Sequence, residues 1–108
     1  MLTLARPCSS VDTSLKLLQE CGFTENGARE ALEPLALSNM KHLLEAGPVQ
    51  ALTGPVERGD AETVRKHLSV RGDGPEGELY RAASEVLVSI AECKNPNREY
   101  GEIRRILE

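Results

Sequence analysis

The chain has 108 residues and a formal net charge of −4, its 13 basic residues scattered among 17 acidic ones, so it has no basic field to release counterions from nucleic acid. Cys8, Cys21 and Cys93 are an odd count without C-x-x-C spacing, which argues for reduced thiols rather than a disulfide framework or a metal site. No charged leader precedes a long apolar run, and no apolar stretch approaches the roughly 18 residues of a membrane span, so a cytoplasmic protein with no membrane contact is expected.

Residues 11 to 21 place Val11, Leu15, Leu18 and Cys21 at helical spacing, with Gly22 as the stop. Thr24 is suited to cap a second helix from Glu25, with Ala28, Ala31 and Leu32 on one side. Pro34 lacks a backbone donor and is expected to kink or divide that helix. Leu35 or Ala36, Met40, Leu43 and Leu44 then continue a helical period to Gly47-Pro48.

Residues 48 to 59 read as a shaped loop. Gly54 can take φ > 0, Pro55 fixes its own φ, and Gly59 allows a second change of direction before Asp60, a favourable N-cap. Ala61, Val64 and Leu68 form the stripe of the next helix, closed by Arg71-Gly72-Asp73-Gly74-Pro75. From Pro75 to about Lys94 the apolar positions are Leu79, Ala82, Ala83, Val86, Leu87 and Ile90. That stripe is expected either in the core or against a partner subunit. After Asn95-Pro96-Asn97, Asn97 is expected to cap a final helix whose Tyr100, Ile103, Ile106 and Leu107 face one way. No segment alternates with period two, so the expected fold is all-α, a compact bundle of five to six helices.

The run Ala51-Leu52-Thr53-Gly54-Pro55-Val56-Glu57-Arg58-Gly59-Asp60, followed by Thr63-Val64 and His67-Leu68, resembles a family of helical C-terminal domains of unknown function. These occur in bacterial Rossmann-like proteins related to pyrroline-carboxylate and ketopantoate reductases. Agreement extends through Glu33-Pro34-Leu35, Asn39, Leu43-Leu44, Gly47 and Leu79-Tyr80, covering roughly residues 12 to 108. Met1 to Ser10, which contain Pro7, match poorly, so residues 11–108 are taken as the domain and 1–10 as a separate segment. The resemblance implies a fold like the phosphogluconate-dehydrogenase C-terminal domain and a homodimer formed through helices. It also implies that NAD(P) is held by an N-terminal Rossmann domain, in cis or in trans. The sequence itself has no G-x-G-x-x-G after a strand pattern, so this chain is expected to bind no cofactor or metal and to be inactive alone.

Two readings of the loop stand side by side. In one, Thr53, Gly54, Arg58, Asp60 and His67 line a substrate cleft, Thr53 donating a hydrogen bond and Arg58 gripping a carboxylate or phosphate with two donors. In the other, Asp60 caps a helix, Arg58 pairs with Glu57 or Glu62, and His67 is half-buried and hydrogen-bonded. The catalytic groups are not assigned by either. The Arg-Gly-Asp tripeptides at 58–60 and 71–73 read as helix-boundary chemistry. Two functions follow: a cleft-forming, dimerising domain of an NAD(P)-dependent oxidoreductase, or a stand-alone helical dimerising module without catalysis.

Overall fold

A computed structural model describes the backbone of residues 2–108 and the side chains of residues 7–108. Met1, the first residue of the segment set apart as 1–10, lies outside the described residues. Every regular element among these residues is a helix: α1 (Leu2–Glu20), α2 (Glu25–Ala46), α3 (Pro48–Ala51), α4 (Pro55–Arg58), α5 (Ala61–Arg71), α6 (Pro75–Lys94) and α7 (Gly101–Leu107). The fold is all-α, as the spacing predicts. The count exceeds the expected five to six because the loop at 48–59 contains two single-turn helices, α3 and α4, each opened by a proline. Among the described residues no helix is long and apolar enough to cross a membrane. Two compact units divide the chain, Met1–Lys41 and His42–Glu108.

In the first unit, α1 begins nine residues before its predicted start and runs through Pro7. Pro7 is the sixth residue of α1, past the turn whose amides lack partners, so it leaves the carbonyl four residues earlier without its intrahelical bond. Gly22, at φ 103°, closes α1 with two reversed bonds, Phe23 N–H to the Leu18 carbonyl (3.0 Å) and Gly22 N–H to the Gln19 carbonyl (3.0 Å). Thr24 then opens α2, its hydroxyl accepting from the Gly27 amide at 3.0 Å. Pro34 lies inside α2 without dividing it, so of the two outcomes expected there, a kink or a division, the division does not occur. The proline sits on the exposed side, where water can satisfy the carbonyl that its missing N–H leaves free. Ala28 is fully buried, whereas Leu35 and Met40 of the predicted apolar stripe are exposed, as is Leu37 outside it.

The second unit carries the main core: Val56, Val64, Leu68, Val88, Ala91, Tyr100, Ile103 and Leu107, with Leu52, Ala61, Tyr80, Leu87 and Ile106 packed against it. The predicted stripes of α5 and α7 are therefore the buried ones. That of α6 is not. Gly77, Ser84, Val88 and Ala91 face inward, while Leu79, Ala82, Ala83 and Val86 are exposed. At the first turn of α6 the end of α5 comes so near that only glycine fits at Gly77, where a Cβ would meet the Gly72 carbonyl.

Asn97 does not cap α7; the N-cap is Tyr100, with no side-chain bond to the helix amides. Tyr100 is buried, and its hydroxyl donates to the Glu57 carbonyl at 2.6 Å, which fixes the helix start three residues later than the asparagine would.

Candidate functional site

The loop singled out in the sequence is a joint between α4 and α5. Gly54, at φ 104°, and Pro55 open α4, and Arg58 N–H reaches back to the Gly54 carbonyl at 3.1 Å. Gly59 turns left-handed at φ 74° and closes α4: its N–H bonds to the Val56 carbonyl (3.1 Å), and Asp60 N–H bonds to the Pro55 carbonyl (2.8 Å). The same Asp60 then opens α5. Its carboxylate accepts from Thr63 N–H at 3.1 Å and from the Thr63 hydroxyl at 2.7 Å.

These bonds stabilise the charged carboxylate. The Thr63 hydroxyl and then its amide hold Asp60 below its ordinary value of 3.8; burial opposes them, and the weaker attraction of the Arg58 and Lys66 charges adds to the lowering. A depressed folded-state pKa contributes stability above the unfolded value and loses it as pH falls through the folded one. Asp60→Asn is expected to keep the cap at pH 7 but to flatten part of the acid-side fall in melting temperature. Parallel melts at pH 7 and pH 3 check this, and equal acid sensitivity in both proteins would count against it.

The predicted site residues come together only in part. Arg58 faces Asp60 at 3.8 Å, not Glu57 or Glu62, and this exposed pair contributes little. Thr53 is exposed, and its hydroxyl makes no hydrogen bond among the described residues. His67 lies on the far half of α5. Its Nδ1 is 2.9 Å from the Tyr80 hydroxyl, with the two rings edge to face at 5.6 Å and 86°. No hydrogen bond or ion pair among the described residues joins it to Arg58 or Asp60.

The sequence did not reveal what braces the loop. The Glu57 carboxylate, 15% exposed, lies 3.5 Å from Lys94 and 3.8 Å from Arg98, and Asn95 Nδ2 donates to it at 3.4 Å. Arg98 also donates to the Glu57 carbonyl at 2.9 Å, and Lys94 donates to the Leu52 carbonyl at 2.7 Å and to that of Gln50 at 3.3 Å. Segment 50–57 is thus clamped to the turn after α6, leaving Arg58 and Thr53 directed away from any strong partner. Partners some 40 residues apart leave no periodic signal; the one legible hint was an acid inside a Gly-Pro-shaped loop.

No curated protein and no solved structure matches the chain. The profile of the family described as Domain of unknown function (DUF2520) matches residues 8–86, most of the chain, and the chain therefore belongs to that family.

Proposed function

We propose that this chain is the helical domain of a cytoplasmic, Rossmann-like NAD(P)-dependent oxidoreductase, in which it forms one wall of the substrate cleft and the dimer contact. The observation that carries the reading is the α4–α5 joint. Its sequence is the part most similar to such helical domains, and its glycines, Asp60 cap and Glu57 clamp hold a fixed backbone from which Thr53 and Arg58 project without a strong partner. A guanidinium carried on that backbone, exposed and met only by Asp60 at 3.8 Å, suits a carboxylate or phosphate on a substrate. The domain is all-α, whereas a dinucleotide unit needs a strand feeding a Gly-rich turn, so the reading assigns NAD(P) to a separate domain in cis or in trans. Thr53, Gly54, Arg58 and Asp60 belong to the cleft in this proposal, and His67 to its pair with Tyr80.

The test is nucleotide binding by the native species, isolated from source cells with an antibody against this chain. It is expected to quench or enhance NADH or NADPH fluorescence saturably, while the 108-residue chain alone does neither. A native species that binds neither nucleotide overturns the reading.

That outcome would favour the second reading, a stand-alone dimerising module. The exposed outer stripe of α6, Leu79, Ala82, Ala83 and Val86, supports it. Sedimentation of the chain as a monomer at all concentrations would in turn remove that alternative.

A further inference from the structure

The interface between α5 and α6 contains a row of polar side chains beside an otherwise aliphatic core. His67 and Arg71 stand four residues apart on α5, and Tyr80 and Ser84 four apart on α6, so each pair shares a helix face. The His67 ring meets the Tyr80 hydroxyl at 2.9 Å, and Ser84 is 3% exposed. Arg71 completes the row from the last turn of α5. Its Nη1 is shielded from solvent and has no hydrogen-bond partner in the protein.

This arginine differs from its neighbours. Arg29, Arg58, Arg65, Arg98 and Arg104 each face a carboxylate; Arg71, like Arg81 and Arg105, faces no side-chain carboxylate among the described residues, but it alone has a shielded nitrogen without a hydrogen-bond partner. A guanidinium nitrogen that is both charged and shielded is costly to leave unmet, and all its hydrogen-bonding capacity is as a donor. The group that satisfies it must be an acceptor, and an anionic one matches its charge. Arg71, His67 and Tyr80 are each partly exposed, so the row opens to solvent. The Tyr80 hydroxyl, like any phenol at pH 7, is neutral and can donate, and burial raises it further against opposing effects of Ser84 and the Arg71 charge.

We infer that this row is a binding site for a small carboxylic acid in its ionised form, with Arg71 as the anchoring cation and the Tyr80 hydroxyl and His67 ring as its hydrogen-bonding wall. One fixed positive charge balances one carboxylate. A phosphate carries close to two charges at neutral pH and is matched less well by a single arginine. The site is distinct from the Arg58 loop, and its failure would leave the oxidoreductase reading untouched.

The test is an NMR titration of the labelled 108-residue chain with sodium acetate, against sodium chloride at equal ionic strength, following the Arg71 Nε–Hε, His67 ring and Tyr80 ring signals. Acetate is expected to shift all three saturably, and chloride is not. Arg71→Gln should weaken acetate by about tenfold or more, as loss of a charged hydrogen bond implies. Tyr80→Phe should weaken it less; it keeps the packed ring and carries the test if Arg71→Gln does not fold. Shifts that stay linear, that chloride reproduces, or that survive both substitutions overturn the site. Saturation by inorganic phosphate but not by acetate overturns its assignment to a carboxylate.

Discussion

Gly77→Ala is expected to cost the protein about 3 kcal/mol or more and to lower its melting temperature by on the order of 10 °C. Gly77 is buried in the first turn of α6, where α6 passes over the end of α5. A Cβ there would lie 2.1 Å from the Gly72 carbonyl oxygen and 3.2 Å from its carbon. Both are backbone atoms of the α5 C-cap, and Gly72 already occupies φ 73°. Relief requires the two helices to move apart, which opens the contact holding Val64, Leu68 and Val88. The gain of about 1 kcal/mol in helix propensity from glycine to alanine is too small to offset this. Gly74→Ala is the control: it meets nothing within 4 Å and has φ −81°, so its melting temperature should stay close to that of the parent. Equal melting temperatures for the two variants would show that the α5–α6 approach is looser than described.

The second large effect is expected at Glu57. Glu57→Ala removes the carboxylate shared by Lys94, Asn95 and Arg98 and leaves a half-buried ammonium with only carbonyl partners. A fully buried pair broken on one side costs about 3–5 kcal/mol and an exposed one less than about 1 kcal/mol. With Lys94 22% and Arg98 44% exposed, about 2 kcal/mol is expected, measured by urea denaturation. Glu57→Gln keeps an acceptor for Asn95 and should fall between the two. The Tyr100 hydroxyl is bonded to the backbone of Glu57, not to its side chain, so that contact survives both variants. A change under about 0.5 kcal/mol for Glu57→Ala would mean that the backbone bonds alone hold the loop.

The helices most legible in the sequence were those whose stripe uses residues that only a core accepts. Val64 and Leu68 on α5, and Ile103 and Leu107 on α7, leave one choice of inward face. On α6 that logic held only in part. Of the expected stripe, Leu87 packs against the core, while Leu79, Ala82, Ala83 and Val86 are exposed and the inward places go to Gly77, Ser84, Val88 and Ala91. Hydrophobic periodicity ranks residues by transfer energy and is blind to how near two backbones must come. Local chemistry was read well where its partners were local: Gly22 stops α1, Thr24 caps α2 and Asp60 caps α5. Asn97 failed for the opposite reason, because a cap chosen from its neighbours was overridden by Tyr100 reaching back to Glu57. Of the candidate site, Arg58 and Asp60 were legible as neighbours. The pairing of His67 with Tyr80 needed the crossing angle of two helices, which no spacing along one helix encodes.

Asp60 carries one further consequence. Its amide finishes α4 and its carboxylate begins α5, so the junction has no spare residue. A single codon gained or lost between Gly59 and Ala61 would turn every later position of α5 by about 100° relative to α4. Val64 and Leu68 would leave their places in the core, to be replaced by Arg65 and Ser69 after a loss or by Thr63 and His67 after a gain. A change of length at this joint is therefore expected to cost the second unit its core, whatever residue is added or removed.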